Sequence, residues 1–178
     1  LAMGTFDDVN AISKIAVNTH LAGAAGTVTG AALTRLIGGK TDIVMMLNGS
    51  LAGLVAITAE PLTPGPITAM VIGSIGAMIM YYGTKLLENL GLDDVVGAIP
   101  VHMFAGIFGT LVVPLTNADT SFGTQLIGVI SVCVFSFVLS WITFSALKST
   151  VGLRISRAAE KQGTDKAEVG VIAYSIRD

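Results

Sequence analysis

Long segments without a charged side chain, separated by short polar gaps, form the pattern of this sequence. Residues 43–59, 61–84, 95–118 and 120–147 contain no Asp, Glu, Lys or Arg, and each segment runs for about 17 to 28 positions. Residues 15–34 form a fifth segment of the same kind. An α-helix needs roughly 20 consecutive apolar residues to cross the hydrocarbon core of a bilayer. The pattern therefore predicts an all-α integral membrane protein with several crossings.

Turn and capping signals divide these segments into five predicted helices, which cover residues 11–37, 42–58, 66–90, 95–114 and 121–150. Gly38-Gly39 ends the first helix, and the proline-rich segment 60–66 separates the second from the third. Asp93 and Asp94 precede the fourth helix, where carboxylates cap free N–H groups and meet the positive end of the helix dipole. We therefore expect a membrane domain over residues 1–150 and a tail over residues 151–178.

Composition excludes several classes of function. The chain is 52% hydrophobic and only 12% charged, and a net charge of −2 gives no basis for binding nucleic acid. Cys133 stands alone, so it forms no disulfide within the chain and offers no metal-ligand spacing. The sequence has no phosphate-binding loop, Ser-His-Asp set or metal cluster. We expect neither an enzyme nor a cofactor.

Basic residues predict the orientation of the chain. If successive loops alternate sides, nine of the ten Lys and Arg residues lie at one membrane face, and only Lys14 lies at the other. Because such residues are enriched in cytoplasmic loops, we predict a multi-pass protein of the cell membrane with a cytoplasmic C-terminus. The N-terminus is then external, yet no signal peptide is visible after Leu1. We therefore expect further N-terminal helices of the same protein.

Three polar residues inside the apolar segments are candidates for function. His102 lies in the fourth predicted helix, roughly 10 Å from its cytoplasmic end at about 1.5 Å per residue. An ionisable residue at that depth indicates a functional site, and an interhelical hydrogen bond is the alternative. For Asn48, an interhelical hydrogen bond is a better interpretation than a place in the lining of a pore. His20 lies near the outer boundary, where a structural or solvated role is favoured.

Residues 93–110 resemble the ammonium transporter family (the Amt/Mep/Rh group) in the sequence DDVVGAIPVHMFAGIFGT. The segment 48–58, NGSLAGLVAIT, supports the same register. The tail also matches, with VGLRI at 151–155 followed by Gly170 and Tyr174. These matches cover nearly the whole chain in family order.

The resemblance implies an eleven-helix fold built from two inverted five-helix repeats and a final helix, in which the five helices here are helices seven to eleven. By the same resemblance, His102 is the second of two paired pore histidines, and Asp93 and Asp94 are the acidic pair before that helix. The first pore histidine belongs to helices outside this sequence, and His20 matches neither. Gly97 replaces an acidic residue of some members, and Val169 replaces a common histidine.

The function implied is conduction of ammonium or ammonia through an apolar pore with a histidine relay. A sensor that couples ammonium binding to a cytoplasmic regulator through the tail is the alternative. We expect His102 to be buried beside the conduit, away from lipid. Gly152, Arg154, Gly170 and Tyr174 are the candidate regulatory residues of the tail. The resemblance further implies a homotrimer, for which we propose small-residue packing faces around Gly23, Gly26, Gly49 and Gly73.

Overall fold

The computed structural model describes residues 4–173, and these residues form a series of helices. The long helices are α1 (Phe6–Gly38), α2 (Ile43–Thr58), α3 (Pro66–Asn89) and α5 (Phe122–Thr150). Between α3 and α5 lie a π-helical turn (Ile99–Phe104), α4 (Ala105–Val112) and a 3₁₀ turn (Val113–Leu115). The tail contains α6 (Arg157–Gln162) and a second π-helical turn (Asp165–Val169). The chain divides into two compact units at Val129 and Ile130, which we describe separately.

The ends of the first three helices follow local capping chemistry. A capping box formed by Thr5 and Asp8 starts α1 at Phe6, earlier than the predicted residue 11. Gly39 ends α1 as predicted, with φ of 75°, a conformation that glycine adopts without steric penalty. Asp42 is the N-cap of α2, because its side chain accepts a hydrogen bond from the backbone N–H of Met45.

Close backbone contact between α1 and α2 organises the first unit. Gly26 and Gly49 are both buried, and a Cβ placed on Gly49 would lie 2.6 Å from the carbonyl oxygen of Gly26. Gly73 brings α3 equally close to the backbone of Ala22 in α1. The three helices therefore pack through small residues, as expected where lipid supplies no hydrophobic force between them. The prediction that these faces pack between protomers is wrong, because they are buried within this chain.

The predicted start of the fourth helix at residue 95 is also wrong. Helical structure begins at Ile99, because Gly97 adopts φ of 73° and interrupts the chain just before it. Pro100 then occupies the first turn, where a missing N–H breaks no helical hydrogen bond. The helix also starts as a π-helical turn, a form that is frequent at functional sites. The predicted helix 95–114 is therefore shorter and irregular at its start.

Two described helices are long and apolar enough to cross a bilayer by themselves, namely Pro66–Asn89 and Phe122–Thr150. Two shorter apolar helices cover Ile43–Thr58 and Ile99–Leu115. None of the α5 residues is buried, and its exposed side chains include Phe135, Phe137 and Trp141. Such a surface matches a helix that faces hydrocarbon.

Candidate functional site

His102 lies in the π-helical turn, on the face that the rest of the first unit leaves open. Pro100 and Val101 are buried, whereas His102 is exposed. The exposed fractions of Ile99 and Met103, on the same open side, are 39% and 49%. Within residues 4–173 the imidazole nitrogens of His102 have no hydrogen-bond partner. The ring is therefore free to meet a ligand.

His102 is exposed within residues 4–173, so its burial beside a conduit stays a prediction about the assembled protein. The buried side of the turn is occupied by Val101, which packs with Ala52 of α2, Met80 and Tyr81 of α3, and Ala105 of α4. Since successive side chains of a helix point in different directions, burial of Val101 turns its neighbour His102 outward. A second wall is needed to enclose the ring.

The backbone before His102 is fixed by a network of three residues, Asp94, Gly97 and Asn48. Asp94 accepts hydrogen bonds from the backbone N–H groups of Ala98 at 2.9 Å and Ile99 at 2.8 Å. These are among the free donors at the start of the helix, so the carboxylate caps it.

Asn48 connects the same loop to α2. Its side-chain amide donates to the carbonyl oxygen of Val96 at 3.0 Å. A Cβ placed on Gly97 would lie 2.8 Å from Asn48 Nδ2, so this contact requires glycine as well as its positive φ. Asn48 and Asp94 together hold the four residues that precede Ile99.

Asp93 does not take part in this capping. Its side chain is exposed and has no hydrogen bond within the described part of the chain. It borders a cavity of about 270 Å³, which is also lined by Thr84, Glu88, Asp94 and Pro100. Adjacent carboxylates thus have different surroundings, and only Asp94 orders the backbone.

His20 lies on α1 and has local bonding only. Its Nδ1 donates to the carbonyl oxygen of Ala16, one turn earlier, at 2.7 Å. A carbonyl oxygen can only accept, so this geometry requires the proton on Nδ1. The exposed ring has no partner on another described helix, which matches the structural or solvated role expected for it.

Two polar anchors were missed in the sequence. Asn18 is fully buried, and its side-chain amide donates to the carbonyl oxygens of Pro61 at 2.8 Å and Pro64 at 2.9 Å. Glu60 accepts a hydrogen bond from Asn117 at 3.1 Å, which ties the α2–α3 loop to the segment after α4. An uncharged amide in an apolar helix was the available signal for Asn18.

The tail residues are placed by glycine turns and two exposed polar contacts. Gly152 and Gly170 have φ of 85° and 74°. Arg154 forms an ion pair with Glu160 at 2.9 Å. The backbone N–H of Ala173 donates to Asp165 at 2.9 Å, and this bond, followed by that from Lys166, lowers the pKa of the Asp165 carboxyl below its ordinary value of 3.8. Tyr174 lies outside the described residues.

The chemistry available at this site is that of a single imidazole. Within residues 4–173 no three His, Cys, Asp or Glu side chains are grouped so that they would hold a metal ion. A neutral imidazole has one donor nitrogen and one acceptor nitrogen, so it can bind ammonia or pass a proton along a hydrogen-bonded chain.

The sequence profile of the Ammonium Transporter Family matches residues 3–174. The chain belongs to the ammonium transporter family. Ammonium transporter Amt2 of Archaeoglobus fulgidus is 41% identical over 92% of this chain, and the ammonium transporter of Corynebacterium glutamicum is 31% identical over 97%. The resemblance inferred from residues 93–110 is therefore confirmed.

Solved structures of this family share the fold. A protein described as a sensor Amt protein matches 88% of the chain with a TM-score of 0.81 and 31% identity. Mep2 of Candida albicans matches 88% with a TM-score of 0.75 and 27% identity. The predicted all-α membrane fold of this family is confirmed. The chain spans about two-fifths of the curated relatives that it matches, 39% of the Archaeoglobus protein and 42% of the Corynebacterium protein.

Proposed function

We propose that this chain forms one wall of an ammonium transport pathway, and that His102 is the residue of this wall that meets the substrate. Membership of the ammonium transporter family supports the substrate class. The single observation that carries the assignment of His102 is its exposure on an open face, beside the buried Val101 and the exposed Ile99 and Met103.

An apolar wall with one imidazole suits ammonium for a physical reason. Transfer of a bare cation into hydrocarbon is unfavourable by several kcal/mol or more, whereas neutral ammonia loses far less hydration. Deprotonation of ammonium at the entrance leaves ammonia to pass, and a histidine relay carries the proton. Potassium has no proton to release, so the same wall rejects it.

The relay needs a second hydrogen-bonding group opposite His102. An imidazole that donates through one nitrogen and accepts through the other can share a proton with such a partner. The chain spans about two-fifths of its relatives, and the resemblance assigns the first pore histidine to helices outside residues 1–178. We propose that this facing wall covers His102 in the assembled protein.

Transport by the intact protein with His102→Ala tests the assignment. We expect the variant to lose discrimination against potassium or to change the charge moved per ammonium, measured as current and uptake in proteoliposomes. His20→Ala is the matched control, because His20 is also an exposed histidine on a helix but has only a local bond to Ala16. Unchanged current and unchanged potassium exclusion in His102→Ala would contradict the proposal.

A sensor is the second candidate, and the match to a protein described as a sensor Amt protein favours it. In that case ammonium binds at the same wall, and the tail passes the change to a cytoplasmic regulator. Proteoliposomes separate the two functions. Saturable ammonium binding without flux supports the sensor, whereas flux that saturates at the same concentration supports the transporter.

We also propose a homotrimer in the cell membrane, with the domain 1–150 in the bilayer and the tail 151–178 on the cytoplasmic side. The distribution of Lys and Arg supports the orientation, and the family resemblance supports the trimer. The turns at Gly152 and Gly170 and the ion pair of Arg154 give the tail a folded shape suited to regulation. Truncation after Thr150 tests the tail, since unchanged flux and unchanged trimer mass would leave it without that role.

A further inference from the structure

A second cavity lies at the end of the first unit where α1 ends, α2 begins and α3 approaches its C-terminus. Its volume is about 330 Å³, several times the roughly 30 Å³ that one water molecule occupies in the liquid. Its lining includes Lys40, Thr41, Asp42, Met45, Tyr81 and Lys85. We call it the basic cavity, because two of its lining residues are lysines.

The positive charge of the basic cavity is unsatisfied. Within residues 4–173 neither Lys40 nor Lys85 forms an ion pair. The ammonium group of Lys85 lies 5.2 Å from the centre of the Tyr81 ring, which holds the charge beside the cavity. Tyr81 is 3% exposed and lines the cavity, and its hydroxyl has no hydrogen-bond partner among the described residues. The hydroxyl oxygen keeps some exposure to the cavity, so it is free to donate a hydrogen bond to a ligand there.

The one carboxylate in the cavity is already engaged. Asp42 caps α2 through the N–H of Met45 at 3.1 Å, so it faces the positive end of that helix. Two lysines and this carboxylate leave a net charge of +1, which suits a monoanion better than a dianion. The α1–α2 turn that carries Lys40 is also ordered, because Arg35 donates to the carbonyl oxygen of Gly39 at 2.6 Å and the Asp42 N–H donates to Thr34 at 3.2 Å.

We propose that the basic cavity binds the phosphodiester group of an anionic lipid. A phosphodiester carries a single negative charge, accepts hydrogen bonds from lysine and tyrosine, and lies at the depth where membrane helices end. Exposed apolar side chains continue from the cavity along α1 and α2: Ile37 is 55% exposed, Ile43 68% and Val44 62%. These side chains give the acyl chains a surface that a free phosphate ion does not use. This site is separate from His102.

Native mass spectrometry of the intact protein in detergent tests the proposal, with phosphatidylglycerol as the probe and phosphatidylcholine as the uncharged comparison. A lysine near a phosphate changes affinity by roughly 5-fold, so we expect Lys40→Gln with Lys85→Gln to weaken phosphatidylglycerol binding by about 30-fold. The matched control is Lys148→Gln with Lys161→Gln, which removes the same charge outside the cavity. We expect that control to bind within about 2-fold of the unaltered protein.

Single substitutions keep the test informative if the double variant does not fold. Lys40→Gln lies in an exposed turn and should weaken binding by roughly 5-fold. Tyr81→Phe removes only the hydroxyl and should weaken binding of phosphatidylglycerol more than that of phosphatidylcholine. Equal phosphatidylglycerol binding by Lys40→Gln and the unaltered protein would overturn the proposal. Displacement of the lipid by inorganic phosphate at a similar concentration would also overturn it, since the site would then bind free anions.

Discussion

Asp94→Ala should loosen the start of the helix that carries His102. The substitution removes the acceptor for two backbone N–H groups, those of Ala98 and Ile99. Ala98 is the N-cap residue, and Asp94 acts from four residues earlier by accepting from the first N–H groups, a role whose loss at an N-cap destabilises a helix by about 0.5–2 kcal/mol. A hydrogen bond to a charged group contributes about 1.5–3 kcal/mol, and partial exposure of Asp94 reduces this value because water replaces part of the interaction. We therefore expect a loss of about 2 kcal/mol.

Hydrogen–deuterium exchange of the intact protein measures this loss where it occurs. At about 1.4 kcal/mol per tenfold change, a loss of 2 kcal/mol speeds exchange of the Ala98 and Ile99 amides by about 30-fold. Asp94→Asn keeps one acceptor oxygen, so it should give an intermediate rate. Amides in the middle of α2 should exchange as before.

Asp93→Ala is the matched control, because it removes the neighbouring carboxylate, which caps nothing in the described chain. We expect exchange at Ala98 and Ile99 to stay within about 2-fold of the unaltered protein. Equal acceleration by Asp93→Ala and Asp94→Ala would refute the assignment of the cap to one residue. Unchanged exchange in both variants would show that the π-helical turn does not depend on the carboxylate.

Three further predictions concern packing, a buried amide and the tail. Gly49→Ala should destabilise the protein by about 1–3 kcal/mol in thermal unfolding, because the added Cβ meets the α1 backbone. Gly128 has open space around it, so Gly128→Ala should be neutral or slightly stabilising. Asn18→Leu leaves the buried carbonyl oxygen of Pro64 and the partly buried one of Pro61 without this donor and should lower the unfolding midpoint, at a loss of about 1–3 kcal/mol. The pKa of Asp165 is lower in the folded state, so its carboxylate stabilises the tail turn above pH 3.8, and this contribution is lost as pH falls through the lower, folded value. Hydrogen exchange at the Ala173 amide, corrected for intrinsic exchange, should therefore accelerate in acid. In Asp165→Asn the corrected exchange rate should no longer depend on pH.

The presence of the helices could be predicted from the sequence, because uncharged segments long enough to cross a membrane are compatible with few structures other than a helix. The start of the fourth helix was not, since Gly97 uses a positive φ that composition alone does not reveal. The hydrogen bond from the Asn48 side chain to the carbonyl oxygen of Val96 likewise depends on the conformation of a loop far along the chain. Pairwise contacts between distant segments are set by packing, and a single sequence does not display them.

The same limit applies to the candidate site. The sequence identified His102 because an ionisable residue is rare in an apolar helix. It did not predict which side of the turn would be buried, and Val101 occupies that side. Asn18 was overlooked as a structural residue, although it is fully buried and Asn48, the same residue type, was identified as a candidate. The caps at Thr5 and Asp42 involve only residues three positions away, so these helix starts can be explained from the local sequence.

The most direct test of the central claim is an experimental structure of the intact protein in a lipid nanodisc with ammonium present. We predict that the open face of His102, Ile99 and Met103 borders an enclosed apolar conduit, with a second hydrogen-bonding side chain opposite the imidazole. Density for a ligand or water should lie within hydrogen-bond distance of the ring, about 2.7–3.2 Å. An imidazole directed outward among lipid acyl chains would contradict the proposed role of His102.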